Sequence, residues 1–547
     1  MRDLLAPAAR PVPLPPAAQA ARRPGGRWPV RLLVAALLAQ MACAMVTTAV
    51  RQTPTIDEPV YVGAAAEYLY EHRLRHNPEH PPLGKLLIGA GVILADPHVD
   101  RDFAGDQGRL GRHLLYESGN DPWRLMLWAR LPVIALTLLF GLVVFHFARE
   151  PAGDMAGLAA LALYCLAPDV IAHGSLATLD VPAAGFVLTS AWLAWRARRR
   201  PLPYVPLAGV ALGAALATRM STLPAVPVVM ALAALPTAGR RAVRAVAAAG
   251  VVALAAVAVV WATYLVVDPR LRWAPEQHVP VVHGLRGLLV RLLPFPEAYR
   301  DGMRLQFGLE NQHWQGFLFG RVYDGSRWYY LPAALLVKTP LGMTALWGGG
   351  VVALAVSRRL RPAAPYVLAA PVVLFAAALQ GTRDLGVRYV VFVPLFLAVA
   401  AGCVLELRRR WVTAGVAVLV AFVAVSSVRA YPFYLPYSNE AFGGPGRTRE
   451  WLHDSNVDWG QDLGRLADRL RERYPGERVW LVYKGSGVPG FYGIKGADPR
   501  RVPVARVRGL VAVSDSAAAK ATGRLAELIG ASRPVDRVGY SITIYRR

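Results

Sequence analysis

Long apolar runs constrain this chain more than any other feature. A helix needs about 20 apolar residues to cross a hydrocarbon core about 30 Å thick. Runs of that kind recur near 31–50, 126–148, 152–168, 175–195, 203–218, 221–238, 244–267, 329–356, 364–380, 387–406 and 411–429. They predict a polytopic α-helical membrane protein of about eleven spans. A length of 547 residues would allow several soluble domains, but only 18% of the residues are charged and 55% are hydrophobic. A soluble chain is nearer a quarter charged. The same apolar content excludes intrinsic disorder. Cys43, Cys165 and Cys403 each lie inside an apolar run. They form neither a disulfide framework nor a metal-ligand spacing, and read as buried thiols.

A net charge of +25 raises the question of nucleic acid. Where the arginines sit answers it. They cluster at Arg22-Arg23-Arg27-Arg31, at 196–200, at Arg240-Arg241-Arg244, at Arg358-Arg359-Arg361 and at Arg408-Arg409-Arg410. Each cluster falls in the N-terminal tail or in a short loop between apolar runs. With eleven spans all of them face one side, and short Arg-rich loops stay cytoplasmic. A nucleic-acid partner would need these residues gathered on one soluble domain, so none is expected; the partner is the bilayer. The N-terminus is expected inside, in a multi-pass plasma (inner) membrane protein. Loops 51–125 and 268–328 and the C-terminal region are expected outside.

The organisation that follows is a disordered basic tail over 1–30, a membrane domain over 31–429, and a small α/β domain over 430–547. The first apolar run is too long for a signal-peptide core and reads as an uncleaved anchor. Loops 51–125 and 268–328 are semi-apolar and suit short helices at the membrane interface. In the last region, 479–483 and 510–513 read as strands and 461–473 as an amphipathic helix. Residues 538–544 alternate as one strand, with Val538, Tyr540, Ile542 and Ile544 on one face.

Chemistry-bearing residues gather near the expected outer ends of the spans. Asp57 and Glu58 follow the first span directly. They are either a functional pair at the membrane edge or a solvated pair that starts a helix with Pro59. Lys85 follows His80-Pro81-Pro82. It suits a phosphate as a point charge, or snorkels to lipid headgroups. Asp180 opens an apolar helix, where the dipole alone would favour it, or joins Asp57 in one cavity. Arg130, Arg219 and Arg388 sit at outer span ends against the positive-inside bias, which suits an anionic ligand. There is no P-loop, no GxGxxG after a strand and no HExxH. These features fit a transferase using a phosphate-linked lipid. They also fit a polytopic transporter or lipid flippase, although the paired broken helices of such proteins are not evident.

The chain resembles the membrane glycosyltransferases of the GT-C superfamily. The resemblance points to the protein O-mannosyltransferase family (glycosyltransferase family 39) and its bacterial aminoarabinose-transferase relatives. It is carried by Asp57-Glu58, His80-Pro81-Pro82-Leu83-Gly84-Lys85, Arg130-Leu131-Pro132 and Thr178-Leu179-Asp180-Val181-Pro182. It continues through Trp328-Tyr329-Tyr330-Leu331-Pro332, Lys338-Thr339-Pro340, Gly386-Val387-Arg388-Tyr389 and the stretch 454–463. The resemblance implies a GT-C fold and transfer of a sugar from a polyprenyl-phosphate donor to a hydroxyl acceptor on protein, lipid or glycan. Transfer would take place on the extracytoplasmic face, with inversion at the anomeric carbon. It implies Asp57 as general base and Glu58 as its substrate-positioning neighbour. Lys85 and Arg130, with Arg219 and Arg388, would face the donor phosphate. Asp180 would be a second acidic position in the substrate cavity. By their place in the loops, His80 is assigned to the same cavity, and Glu310 and His313 either line its acceptor side or belong to a structural interface helix. No cofactor is required by the motifs; a divalent metal, if used, would sit at Asp57 and Asp180. Segment 268–328 is too short for the β-trefoil insertion of the eukaryotic protein mannosyltransferases, so their acceptor does not carry over.

Overall fold

The computed structural model describes residues 28–237, 242–274 and 277–547. The basic tail as far as residue 27, together with Arg240 and Arg241, lies outside them. α1 (Trp28–Arg51) leads through an extended link into α2 (Glu58–Tyr70), α3 (Pro82–Ala95) and α4 (Gln107–Tyr116). Then come α5 (Pro122–Ala152), α6 (Asp154–Cys165), α7 (Pro168–Gly174), α8 (Asp180–Ala197), α9 (Pro201–Thr218), α10 (Ala225–Ala234) and α11 (Ala242–Val267). Two short helices, α12 (Gly284–Leu292) and α13 (Glu297–Glu310), precede a hairpin of β1 (Gln315–Leu318) and β2 (Arg321–Asp324). The helices α14 (Tyr330–Lys338), α15 (Leu341–Val356), α16 (Ala364–Ala378), α17 (Phe392–Gly402) and α18 (Arg410–Ala430) complete the bundle.

Among the described residues each expected apolar run is mostly helical, but not every run is a straight crossing. Among the described residues, α1, α5, α9, α11 and α18 are each long and apolar enough to cross a membrane. Two further pairs qualify only as broken spans: α6 with α7, bent by 62°, and α14 with α15, bent by 117°. Pro168 and Pro340 lie at these breaks. Proline lacks the N–H that would carry a helix through, and it suits a helix start. The expected single run 329–356 is therefore two helices meeting at a corner. The bundle closes around α8, which packs against α5, α9, α10, α16 and α17 and is buried along most of its length.

The C-terminal region forms a four-stranded sheet in the order β3 (Val479–Val482), β4 (Leu510–Ser514), β6 (Ile542–Arg546), β5 (Arg533–Val538). β3 and β4 are parallel; the other pairings are antiparallel. The two faces follow the period of two. Leu481, Leu510, Ala512, Ile542 and Ile544 pack under the helix Leu463–Arg473. Trp480, Val482, Val511 and Val513 pack under the helix Gly523–Gly530. The expected single strand 538–544 is instead the turn of a hairpin. Gly539 and Tyr540 both have φ near +61°, the pairing of positive φ values that a tight antiparallel turn demands. The alternation of apolar residues runs through that turn and hides it.

Candidate functional site

α1 stops at Arg51, and the chain runs extended to Asp57 before α2 begins with Pro59 in its first turn. The two adjacent carboxylates then part. Glu58 turns into the protein and is fully buried. It meets Arg130 of α5 in a bidentate pair, Nε to Oε1 at 2.7 Å and Nη2 to Oε2 at 2.7 Å. Thr55 donates to it through its N–H at 2.9 Å and its hydroxyl at 3.0 Å, and the Ala177 N–H donates at 2.8 Å. Burial alone would raise the Glu58 pKa. The Arg130 charge and these hydrogen bonds outweigh it and hold the carboxyl below its usual range.

Arg130 spends its remaining donors on the carbonyls of Ala49 (2.6 Å), Gln52 (2.9 Å) and Thr53 (3.2 Å). All five N–H groups of the guanidinium are thus engaged. Arg130 thereby locks the α1–α2 corner to α5. Lys85 is engaged in the same way. Its α3 is about 21 Å long, too short to cross a bilayer, and the side chain is fully buried. Nζ donates to the carbonyls of Asn77 (2.6 Å) and His80 (2.7 Å) and lies 4.8 Å above the Tyr68 ring. Burial pushes its pKa down to about 7, against the pull of Glu79 and Glu67. It staples the 77–80 loop from below.

Asp57 behaves differently. It occupies the N-cap position of α2, yet its side chain makes no capping hydrogen bond. A carboxylate there normally accepts from the first turn. This one turns away and accepts from Nη1 of Arg388. The Asp57 side chain keeps 25% of its accessible surface, whereas Glu58 keeps none. Arg388 follows Gly386, whose φ of +151° and tight approach to Ser455 leave no space for a side chain. Its guanidinium lies 4.4 Å from the Trp459 ring and 5.2 Å from the Tyr389 ring.

A second carboxylate–arginine pair stands beside the first. Arg219, in the extended residue that ends α9, pairs with Asp180 at the start of α8. It lies 5.6 Å from the same Tyr389 ring, and the charges of Arg388 and Arg383 both bear on it. Tyr61, one helical turn after Asp57, is buried within reach of Asp57, Arg219, Arg388 and Glu79; burial and then Asp57 push its hydroxyl pKa up, so it remains a phenol. His80 stands edge-on to Tyr61 at 5.7 Å. Burial, then Arg219, Lys85, Arg383 and Arg388, push its pKa well below the usual histidine value, so the imidazole is neutral at pH 7. Arg383 donates to Gln306 of α13 at 2.9 Å, and Gln306 donates to the Glu79 carbonyl at 3.0 Å.

The structure thus brings Asp57, His80, Asp180, Arg219 and Arg388 together. Glu310 and His313 make no hydrogen bond or ion pair with these five side chains among the described residues. Glu310 faces Arg286 at 3.6 Å, and His313 is exposed. Asp57 and Asp180 each face an arginine, and among the described residues no group of three or more His, Cys, Asp or Glu side chains is arranged to hold a metal. Tyr61 and Arg383 also stand at the site and were not singled out from sequence; Tyr389 and Trp459 stand there too, within the motifs 386–389 and 454–463, where they had been given no role. Tyr61 had a usable signal: four residues after Asp57, it shares that face of a helix.

Residues 32–268 match the family model of the dolichyl-phosphate-mannose-protein mannosyltransferases. That match bears out the resemblance read from the motifs, over the segment holding Asp57, Glu58, Lys85, Arg130, Asp180 and Arg219. Arg388 lies beyond it. No curated protein matches the chain. Among solved structures the chain is similar to ArnT from Cupriavidus metallidurans in the apo state, at 16% identity and a TM-score of 0.46, covering 94% of this chain and 97% of that one. It is similar to the archaeal oligosaccharyltransferase AglB from Archaeoglobus fulgidus, at 13% identity and a TM-score of 0.47, covering 89% and 70%. A third similarity is to the S. cerevisiae protein O-mannosyltransferase Pmt1-Pmt2 complex, at 16% identity and a TM-score of 0.34, covering 44% and 33%.

Proposed function

We propose that this chain is an inverting glycosyltransferase that moves a sugar from a polyprenyl-phosphate donor to a hydroxyl acceptor. The family match supports the enzyme class. The observation that carries the chemistry is Asp57, a partly exposed carboxylate held by Arg388 beside the Asp180–Arg219 pair. Inverting transfer needs one base opposite the leaving group. In this reading Asp57 removes the acceptor hydroxyl proton as the oxygen attacks the anomeric carbon. The leaving phosphate needs no proton if cations stabilise its growing charge. Arg388, Arg219 and Arg383 supply those cations, in place of the Lys85 and Arg130 expected from sequence. Two carboxyls acting as acid and base, as glycoside hydrolysis requires, are unnecessary. Asp180 orients Arg219, and the buried Glu58–Arg130 pair fixes the corner from which Asp57 projects.

The Arg clusters in the short loops support an extracytoplasmic position for this site. The bilayer, the lipid-linked sugar and the hydroxyl acceptor on protein, lipid or glycan are the partners. The test is incubation of purified protein in lipid nanodiscs with a panel of isotope-labelled polyprenyl-phosphate sugars. Transfer with inverted anomeric configuration in the product, read by NMR, is the expected result. Retained configuration, or release of sugar to water only, would contradict it.

A further inference from the structure

Asp57 and Arg388 are 331 residues apart in sequence. What holds them in register is a third piece of chain, 455–461, which follows the last span. Ser455 donates to the Leu385 carbonyl through its hydroxyl at 2.6 Å and its N–H at 3.2 Å. Asn456 is fully buried, and its Oδ1 accepts from the N–H of Val387, the residue before Arg388, at 3.0 Å. Its Nδ2 donates to the Tyr330 hydroxyl at 2.9 Å and to the His453 carbonyl at 3.1 Å. Its carbonyl accepts from Lys338 Nζ at 3.2 Å. Three residues on, the Trp459 carbonyl accepts from the N–H of Ile56, the residue before Asp57, at 3.0 Å. The Gln461 carbonyl accepts from the Thr53 N–H at 3.0 Å.

One buried segment therefore bonds the residue preceding the carboxylate and the residue preceding the cation. Its indole then lies 4.4 Å from the Arg388 guanidinium, with His173 edge-on to the indole at 6.1 Å. We infer that 455–461 is a positioning element for the Asp57–Arg388 pair, with Asn456 fixing the Val387 backbone and the Trp459 π face fixing the guanidinium. The inference deepens the transferase reading above and rests on it for its kinetic consequence. Both residues act through Arg388 and Asp57 and touch no reacting atom. A desolvated cation–π contact orients a guanidinium strongly. A core tryptophan of purely structural value would tolerate any apolar replacement of similar size equally well.

The experiment compares Trp459→Phe with Trp459→Met, side chains of similar bulk of which only Phe keeps a π face. The donor is whichever labelled polyprenyl-phosphate sugar supports transfer by the wild type. Trp459→Met is expected to lower kcat about 30-fold, which is about 2 kcal/mol at 1.36 kcal/mol per tenfold, with the donor KM within about threefold. Trp459→Phe is expected to stay within about threefold of wild type in both. Equal kcat values for the two variants would overturn the inference. In parallel, Asn456→Ala is expected to speed amide hydrogen exchange at 385–390 while β3 and β4 keep their protection. Unchanged exchange at 385–390 would also overturn it. If the wild type transfers no sugar from any donor, the transferase reading fails, and the exchange measurement alone then decides the positioning claim.

Discussion

Replacing Arg130 by Met tests whether the Glu58–Arg130 pair is the foundation of the site or part of its ligand contact. Both side chains are at most 1% exposed. Removing one partner of such a buried pair leaves a charge without its counter-ion, at a cost of about 3–5 kcal/mol. Glu58 would retain the Thr55 and Ala177 donors. The carbonyls of Ala49, Gln52 and Thr53 would lose theirs. A loss of about 3–5 kcal/mol is therefore expected for Arg130→Met. The double variant Glu58→Gln with Arg130→Met removes both charges at once. It is expected to be less destabilised than the sum of the singles by at least about 2 kcal/mol. The assay is thermal unfolding in detergent of the wild type, both singles and the double. Arg130→Lys adds a kinetic arm. A lysine cannot reproduce the bidentate fork or the three carbonyl bonds, so it should destabilise the fold rather than raise the donor KM selectively. An Arg130→Met protein that unfolds like wild type, with only its donor affinity weakened, would refute the structural role and restore Arg130 to the phosphate.

Three further expectations concern the rest of the site. Arg388→Gln removes the cation beside Asp57; kcat/KM is expected to fall by about 100-fold or more, with the Asp180–Arg219 side unaltered in hydrogen exchange. Gly386→Ala puts a side chain at φ +151° against the Ser455 hydroxyl, costing about 1–3 kcal/mol; thermal unfolding should show it, and Ser455→Ala should recover only the steric part. His453 is buried, and burial pushes its pKa down to about 3, below the ordinary value near 6.5. Its unfolded form binds a proton first as pH falls, so stability present above pH 6.5 is lost below it, by about 2 kcal/mol at pH 5. His453→Gln should flatten the fall in unfolding midpoint between pH 6.5 and 5.

The parts of the fold visible in sequence are those set by local pattern. The long apolar runs mark the helices, and short continuous apolar runs mark β3 and β4. The corner at Pro340 was visible as a proline but not as a 117° bend, because the direction taken after a break is set by what packs there. The hairpin at Gly539-Tyr540 was missed because its flanking apolar residues keep the alternation of one strand. At the site, Asp57 stood out by position alone, while its true partner did not. Arg130 and Arg388 looked equivalent as outer arginines. What separates them is burial and donor count: Arg130 is saturated by Glu58 and three carbonyls, and Arg388 is left facing Asp57. That sorting depends on how α5 meets the α1–α2 corner, which no local spacing encodes. The burial of Lys85 is hidden from local sequence for the same reason, since its partners come from the loop folding back over it.

The central claim is that Asp57 is the base, and substitution by Asn tests it most directly. Asn keeps the shape and a carbonyl oxygen for Arg388 but cannot take the acceptor proton. Purified Asp57→Asn should unfold close to the wild-type midpoint and still bind the lipid-linked donor, while transfer of labelled sugar falls by about 100-fold or more. Transfer near the wild-type rate from a folded Asp57→Asn protein would contradict the account.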